Sequence, residues 1–548
     1  MSQLANLFTV PPQRARSIPA RIATFLLAGA VLAGCADLPS LAGRAASTYV
    51  TQTADTRLGK GVAPLLQEHV GLSGVYPLSD GRDAFAARAV LAAAADRTLD
   101  VQYYIWRGDT TGTLLFDALR SAAGRGVRVR LLLDDNNTAG MDATLAALDA
   151  DPLIEVRLFN PFSLRGSRML GYLGDFSRLN RRMHNKSFTA DNQATIIGGR
   201  NVGDEYFDAA GDMLFADLDV LAVGPVVDAV SRDFDRYWNS RSAYPVHLLS
   251  PAAGPQALAA LSRESARNAQ AGDAQAYLAA VRDSPFFNKL VERSLPLIWA
   301  PAALLSDDPD KVLGAVAEQS KVAWKLTEAM GTPSRQIDLV SPYFVPGKEW
   351  SGNFADMARQ GVGVFVLTNS LEATDVAAVH AGYAKWRRPM LEAGVQIYEL
   401  RKQGAAVRPR FGTGSGSGSG GATTTGVRGA GGSSGVGSSS SSLHAKTFAV
   451  DGRRVFIGSF NFDPRSADLN TEMGFVIDST VLAQQMTSAL RQRVPERAYK
   501  VELGEDGKLH WIEQGPNGPI RHDTEPGTSF WTRAAVGVLS VLPIDWML

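Results

Sequence analysis

Residues 97–106, RTLDVQYYIW, lead from polar positions into a β-rich apolar run that is typical of a buried strand. The following segment, residues 112–126, carries apolar positions at helical spacing, and VRVRLLLDD at residues 127–135 returns to a strand pattern. A further helix and strand follow in ATLAALDADPLIEVRLFN, residues 143–160. Strands that alternate with helices of this length predict a mixed or parallel sheet covered on both faces.

The same order of elements recurs later in the chain. RQIDLVSPYFV at residues 335–345 is followed by a helical segment at 352–361, an apolar strand at 362–370 and a further helix and strand at 389–401. Residues 217–238 and 472–493 also correspond, because each reads as a strand, a turn and an amphipathic helix. The pattern predicts two duplicated α/β halves, at residues 76–240 and 331–500.

Three other segments lie between or after the halves. Residues 241–330 are Ala-rich with helical spacing and predict a helical insert, although PLIWAPAALL at 296–305 could pack in the interior or touch lipid. Residues 412–442 are rich in Gly and Ser and predict disorder, as a flap over a site or as a neutral surface insertion. Residues 501–548 form a C-terminal extension whose apolar tail predicts either a packed element or an interfacial membrane contact.

The N-terminus has the pattern of an export signal. Three arginines precede an apolar run at residues 22–35 that ends in the only cysteine, Cys35. LAGC resembles a bacterial lipobox, which implies a signal peptide at 1–34, lipidation of Cys35 and a tether at 35–75; an uncleaved anchor or a chance cysteine is the alternative. The protein would then face the periplasm from the cell envelope. Ala36 favours the outer membrane by the sorting rule of enteric bacteria, which leaves the choice of membrane open.

Two stretches of the chain share one motif. HNKSFTADNQATIIGGRN and HAKTFAVDGRRVFIGSFN repeat a histidine, a lysine two residues later, an aspartate five residues after that and an asparagine 17 residues past the histidine. The motif residues are His184, Lys186, Asp191 and Asn201 in the first copy and His444, Lys446, Asp451 and Asn461 in the second. Identical intervals in two copies indicate an internal duplication and not coincidence.

The spacing indicates phosphate chemistry. Histidine and lysine at positions i and i+2 of a strand project from the same face, so an imidazole and an ammonium share one small area. Lysine can bind the non-bridging oxygens of a phosphate while histidine attacks phosphorus or carries a proton. Displacement at a phosphodiester needs one group to attack and one to protonate the leaving oxygen. The two motifs therefore predict one site shared by both halves.

The paired motifs resemble the HKD motifs of the phospholipase D superfamily, closest to bacterial cardiolipin synthases of the C-type. The resemblance implies two α/β/α sandwich halves related by a pseudo-twofold axis, with the active site at their interface. It implies a phosphohistidine intermediate, with no metal and no cofactor. His184 would be the nucleophile and His444 the general acid and then base, an order that spacing alone leaves open.

The family also suggests roles for the other motif residues. The two lysines and two asparagines would bind phosphoryl oxygens, and Asp191 and Asp451 would support the turn from strand to helix. A carboxylate beyond each motif would orient an imidazole, and Asp217 and Glu472 occupy corresponding positions.

The expected substrates are membrane phospholipids, namely phosphatidylglycerol and possibly phosphatidylethanolamine. Five arginines among apolar residues at 161–183 suit an anionic membrane surface, although a solvated basic loop is the alternative. A hydrolytic phospholipase D would share every motif residue. The chain has 55 basic and 55 acidic residues, and this balance does not fit a nuclease, which usually carries a basic excess. No nucleic acid partner is therefore expected.

Overall fold

The computed structural model describes residues 37–207, 217–292, 294–314, 316–374, 376–402 and 443–542. Its strands form two large sheets. The first contains β1 (Ser73–Leu78), β2 (Thr98–Tyr103), β3 (Arg128–Asp134), β4 (Ile154–Phe159), β5 (Ser187–Ala190), β6 (Ala194–Gly198), β7 (Asp219–Val223), β8 (Ala243–Pro245) and β9 (Ile298–Ala300). The second contains β10 (Ala302–Ser306), β11 (Gln336–Val340), β12 (Gly363–Asn369), β13 (Gln396–Leu400), β14 (Lys446–Val450), β15 (Arg454–Gly458), β16 (Met473–Asp478), β17 (Ala498–Leu503), β18 (Leu509–Gly515) and β19 (Gly518–His522).

Helices connect and cover these strands. Those before β10 are α1 (Arg57–Glu68), α2 (Gly81–Ala94), α3 (Thr110–Gly124), α4 (Asp142–Asp149), α5 (Arg168–Leu179), α6 (Asp204–Phe207), α7 (Pro225–Trp238), α8 (Pro255–Gln270), α9 (Gly272–Arg282) and α10 (Pro285–Val291). Those after β10 are α11 (Val322–Met330), α12 (Gly347–Arg359), α13 (Ala377–Ala384), α14 (Arg387–Glu392), α15 (Thr480–Arg497) and α16 (Phe530–Ser540).

The two sheets repeat one topology. Their strand orders are β8-β4-β3-β2-β5-β6-β7-β1-β9 and β10-β16-β15-β14-β11-β12-β13-β17-β18-β19. β2, β3 and β4 are parallel, as are β11, β12 and β13, and these strands are almost wholly buried, which explains their continuous apolar runs. β5 and β14 join the central strands antiparallel, with Gln102 opposite Ser187 and Val340 opposite Thr447. The residues just before β5 and β14 therefore lie at the carboxyl edges of the parallel strands.

Each sheet is buried on both faces. One face of the first sheet packs on α2, α3 and α4 through a core that includes Phe85 and Leu119. The opposite face meets the second sheet in a shared core that contains Ile197, Val220 and Ile457, and α7 and α15 contribute to the same core. The predicted fold class, two duplicated α/β/α halves, is confirmed. Because the halves share buried apolar surface, a site between them rests on a rigid interface.

The connection between the halves is only partly helical. α8 to α10 lie within the predicted helical insert and α8 packs on α3 and α4, but the same segment also supplies strands β8, β9 and β10. β9 pairs with β1 of the first sheet and β10 with β16 of the second. These strands are short and flank Pro301, so an alternating pattern is hard to detect in the sequence. Ile298 and Leu304 pack against the shared core, which resolves the interpretation of residues 296–305 in favour of packing.

The C-terminal extension continues the second half. β17 runs to Leu503, and β18 and β19 form a hairpin that lengthens the second sheet. α16 packs on α13 through Val536. No helix within the described ranges combines the length and the hydropathy that a membrane span requires. Cys35 and residues 1–34, the segment 412–442 and the tail 543–548 lie outside the described residues.

Candidate active site

The two motif histidines lie at the same edge of their sheets. His184 precedes β5, so it lies beside the carboxyl end of β2. Tyr104, just past that end, meets the His184 ring edge-on with the ring centroids 5.0 Å apart. His444 occupies the equivalent place before β14, next to the carboxyl end of β11. Each half thus brings one imidazole to the edge where the halves meet.

The backbones of the two halves are joined directly at this point. The backbone N–H of His184 donates to the carbonyl of Thr471 at 2.9 Å, and the N–H of Thr471 donates to the carbonyl of Arg182 at 2.9 Å. These bonds form a short parallel bridge between Met183 and Thr471. The first motif is therefore held against the residues that lead into β16 of the other half.

The carboxylates that orient the histidines are exchanged between the halves. Nδ1 of His184 lies 2.9 Å from the carboxylate of Glu472, and Nδ1 of His444 lies 2.6 Å from the carboxylate of Asp217. The structure thus brings together all four residues, and each pair joins a histidine of one half to an acid of the other. A carboxylate at Nδ1 fixes the tautomer and leaves Nε2 for chemistry.

Both motif lysines lie beside their own histidines. Lys186 donates to the backbone carbonyl of His184 at 2.5 Å, and Lys446 donates to the carbonyl of His444. Burial lowers the pKa of Lys186 to about 7. A lysine in such a desolvated place gains from the arrival of an anion, because the anion restores the charged form.

The histidines, lysines and acids act on one another electrostatically. The pKa of His184 is lowered well below its usual value by burial and by the charges of Lys186, Lys446 and His444. Burial and Lys446 lower the pKa of His444 as well, and Asp217 opposes that shift. The exchanged carboxylates and the charges that each motif exerts on the other together indicate that the two imidazoles border a single site.

The two acids have different surroundings. Glu472 is fully buried, accepts hydrogen bonds from the hydroxyls of Ser459 and Ser466, and burial raises its pKa to about 7. Burial also disfavours the charge on Asp217, but the charge and hydrogen bond of His444 outweigh burial and lower the Asp217 pKa. Asp217 therefore partly offsets the lowering of the His444 pKa, while burial and the neighbouring cations favour a neutral ring at His184.

Asp191 and Asp451 lie away from the histidines, at the other ends of β5 and β14. Both adopt left-handed backbone with φ of 51° and 54°, in tight turns that lead into another strand. The predicted turn from strand to helix was wrong, because the residues after each aspartate pair back as β6 or β15. The Asp191 carboxylate accepts three backbone N–H groups, from residues 96, 97 and 98. Asp451 accepts the equivalent set from residues 334, 335 and 336.

The motif asparagines are buried and incompletely paired. Oδ1 of Asn201 accepts the backbone N–H of Ile105 at 3.2 Å, while its amide nitrogen has no hydrogen-bond partner of normal geometry in the described part of the chain. Oδ1 of Asn461 is likewise unpaired among the described residues. A buried unpaired amide is costly, so a ligand that supplies its partner binds favourably.

Several site residues were not predicted. Tyr104 also lies under the Lys186 ammonium at 5.5 Å, and Tyr206 meets the His444 ring at 5.4 Å. Ser459 was read only as a small residue, although its hydroxyl contacts Glu472. At the matching position, a Cβ on Gly199 would lie 2.3 Å from the Asp217 carboxylate. The difference between Gly-Gly and Gly-Ser in the two motifs could therefore have indicated that the two carboxylates have different surroundings.

The arginines before the first motif do not form a free cationic surface. Arg165 and Arg168 pair with Asp135, Arg178 pairs with Asp175, and Arg182 pairs with Asp134. Arg181 donates to the Lys311 carbonyl. These contacts exclude a fully solvated basic loop in this stretch and reduce its attraction for anionic lipid. The described ranges contain no group of His, Cys, Asp and Glu arranged to hold a metal ion.

Comparisons with known proteins identify relatives over most of the chain. The family described as "Cardiolipin synthase, PLD-like domain" matches residues 89–238 and 422–494. Cardiolipin synthase C of Escherichia coli (strain K12) is 49% identical over 90% of this chain and 100% of its own. A Helicobacter pylori protein (strain ATCC 700392 / 26695) is 31% identical over 89% of this chain and 92% of its own. The crystal structure of phosphatidylserine synthase from Haemophilus influenzae Rd KW20 shares the fold, with a TM-score of 0.51 and 12% identity over 80% of this chain and 92% of that one.

Proposed function

The chain belongs to the family of cardiolipin synthases with a phospholipase D-like domain and is a phospholipid-modifying enzyme that transfers phosphatidyl groups, and we propose that it does so through a phosphohistidine at His184. The observation that carries this proposal is the exchange of carboxylates, Glu472 to His184 and Asp217 to His444. The surroundings of His184 favour a neutral ring that can attack, and the ionised Asp217 supports the charge that His444 must carry to protonate the leaving oxygen.

In the first step, Nε2 of His184 attacks the phosphorus of a phosphatidylglycerol molecule. A nitrogen–phosphorus bond forms, the bond from phosphorus to the leaving glycerol oxygen breaks, and the His444 imidazolium gives its proton to that oxygen. The negative charge of the bound phosphodiester offsets the positive charges of the two lysines. The pKa of His444 therefore rises, which favours its protonated form. The ionised Asp217 then stabilises the imidazolium.

In the second step, neutral His444 removes the proton from a hydroxyl of another phosphatidylglycerol. That oxygen attacks phosphorus, the bond to His184 breaks, and the products of the two steps are cardiolipin and glycerol. Lys186 and Lys446 bind the non-bridging oxygens, and the amide nitrogen of Asn201 can donate to one of them. Phosphatidylethanolamine is the second candidate donor, since it carries the same phosphatidyl group and would release ethanolamine in place of glycerol.

The proposal extends to the place of action. Cys35 carries a lipid in the cell envelope and the enzyme faces the periplasm, which brings the site to its substrates. The lipobox of residues 32–35 supports this assignment. Mass spectrometry of the purified protein tests it, because cleavage before Cys35 and acylation change the mass of the N-terminal peptide.

A lipid assay distinguishes transfer from its alternatives. The protein is incubated in EDTA with vesicles that contain labelled phosphatidylglycerol and phosphatidylethanolamine, and the lipids are then separated. Cardiolipin is the expected product. Phosphatidic acid as the main product would instead identify a phospholipase D hydrolase, and cleavage of DNA without any lipid product would identify a nuclease.

Two substitutions test the assignment of the histidines. His184→Ala removes the nucleophile and should lower turnover by about four orders of magnitude, with no covalent phosphoprotein. His444→Ala should lower turnover comparably while phosphate-labelled lipid with a good leaving group still labels His184. His247→Ala is the matched control, because its side chain is 53% exposed and lies outside the site. Label on the His184→Ala variant but not on His444→Ala would reverse the two roles.

A further inference from the structure

Helix α5 presents an exposed apolar stripe. Met169, Leu170 and Leu173 lie along one side of it, and Leu173 is 83% exposed. Phe176 is exposed just beyond Asp175, where a non-helical backbone (φ −143°, ψ 43°) kinks the helix. The other side is fixed to the body: Tyr172 stacks edge-on against Phe162 at 5.3 Å and donates its hydroxyl to Asn136 at 2.7 Å. The stripe is thus held in place and is not the frayed end of a loop.

Helix α16 repeats this arrangement in the second half. Val536 packs with Leu371 and Ala381, and this contact fixes the inner side of the helix on α13. Phe530, Trp531 and Val538 remain exposed on the outer side, with Trp531 at 79%. A tryptophan at the end of an apolar helix face is a residue type that favours the membrane interface.

Both helices lie at the edge that carries the histidines. The segment that contains α5 leaves the carboxyl end of β4 and returns to His184, so it lies at the carboxyl edge of the first sheet. α16 packs on Leu371, two residues past the carboxyl end of β12, so it lies at the carboxyl edge of the second sheet. Since His184 and His444 meet at these edges, one apolar helix face stands on either half beside the site.

The N-terminal chain emerges on the same edge. Arg44 donates to the backbone carbonyls of Asn239, Ser240 and Ala243, and the carbonyl of Ser242 accepts the N–H of Asn160, directly after β4. The side chain of Asn160 in turn holds the carbonyls of Arg178 and Arg181 at the end of α5. The chain before Arg44, whose sequence includes the apolar run 22–35, therefore joins the body beside α5.

We propose that α5 and α16 form a docking surface that seats this edge of the enzyme on a lipid bilayer. The inference rests on the proposed function only in that the substrate is a membrane phospholipid. Four of the five arginines near α5 are paired with acids, so apolar insertion and not anionic lipid drives the docking. The arrangement places the shared site between two inserted helices, where a phospholipid headgroup can reach the histidines.

Site-specific labels test the orientation. Single cysteines at Leu173 and Val538, in full-length protein that carries Cys35→Ser, are labelled with an environment-sensitive fluorophore and mixed with phosphatidylcholine vesicles. We expect a blue shift and quenching by doxyl lipids at both positions. Val70→Cys is the matched control, because Val70 is an apolar residue with 82% exposure near the start of β1, at the amino edge. Its label should stay in water.

Each result decides the proposal. Labels at positions 173 and 538 that insert into the vesicles support it, provided that the fraction of bound protein changes by less than about twofold between low and high salt. Labels that behave like the one at position 70 overturn it, and so does a blue shift without vesicles, which would mean that a second copy of the chain covers the surface. This assay needs no turnover, so a failure of the proposed reaction would leave its result unchanged.

Catalysis gives an independent measure. Leu173→Glu and Val538→Glu should each lower the rate on vesicles by about tenfold, while the rate on a short-chain, monomeric phosphatidylglycerol should stay within about twofold of the wild-type rate. Val70→Glu should change neither rate. Equal losses on vesicles and on monomeric substrate would contradict docking, because they would indicate damage to the site itself.

Discussion

At the scale of single residues, the site is asymmetric although the motifs are duplicates. Glu472 accepts two serine hydroxyls in a fully buried place, whereas Asp217 lies against Gly199 and has no such donors in the described part of the chain. Burial therefore dominates around Glu472 and the ion pair with His444 dominates around Asp217. A duplicated pair of motifs has in this way acquired two different histidines, one suited to attack and one to proton transfer.

Removing the charge of either acid should slow turnover strongly. We expect Glu472→Gln and Asp217→Asn each to lower kcat by about 10²–10⁴-fold, because the amide no longer fixes the productive tautomer. Glu399→Gln is a matched control: Glu399 is a buried glutamate of the second half whose carboxylate accepts from Tyr383, Trp511 and Arg387 and contacts neither motif histidine. Its kcat should stay within about threefold. A Glu472→Gln enzyme with near-normal kcat would show that His184 does not depend on this contact.

At the scale of elements, the hairpins after the motif lysines depend on the motif aspartates. Asp191 is buried and accepts three backbone N–H groups at the start of β2, whereas two of the three equivalent bonds of Asp451 are exposed. Asp191→Ala should therefore lower the free energy of unfolding by about 2–4 kcal/mol, and Asp451→Ala by about 1 kcal/mol. Urea titration measures both losses. Loss of turnover at unchanged stability would instead assign Asp191 a direct part in the reaction.

Strongly periodic elements and the motifs could be predicted from the sequence. The buried parallel strands β2, β3 and β11 follow from their apolar runs, and the pairing of the two motifs follows from identical spacing. The short strands β9 and β10 could not be predicted, because three to five residues beside Pro301 carry little pattern. The exchange of Glu472 and Asp217 between the halves could not be predicted either, since tertiary packing alone decides which imidazole each carboxylate meets.

At the scale of the whole molecule, the connection between the halves fixes the backbone on which Glu472 lies. Asp307, directly after β10, accepts the backbone N–H of Glu472 at 2.8 Å and that of Val322 at 2.7 Å. Lys311 donates to the Asp307 carboxylate and to the carbonyl of Ser466, both at 2.9 Å. A buried ion pair from outside both motifs thus fixes the backbone that carries Glu472 and Ser466.

Replacing Lys311 should destabilise the folded protein, because the buried charge of Asp307 then lacks its partner. Burial already raises the pKa of Asp307 to about 6, and Lys311 opposes that rise. We expect Lys311→Met to lower the free energy of unfolding by about 3–5 kcal/mol at about pH 8, because Asp307 remains as an unpaired buried charge. Without Lys311 the pKa of Asp307 in the folded protein rises further above its value in the unfolded chain. The folded state then favours the protonated carboxyl, so the protein is more stable at low pH and loses that stability as the pH rises through the folded-state pKa.

The loss caused by Lys311→Met should therefore be smaller at about pH 5 than at about pH 8, as urea titrations at the two pH values would measure. The double variant Asp307→Asn/Lys311→Met removes both charges and should recover more than about half of the loss at the higher pH. An equal loss at both pH values would mean that the lysine acts through its hydrogen bond to the carbonyl of Ser466 and not through its charge on Asp307.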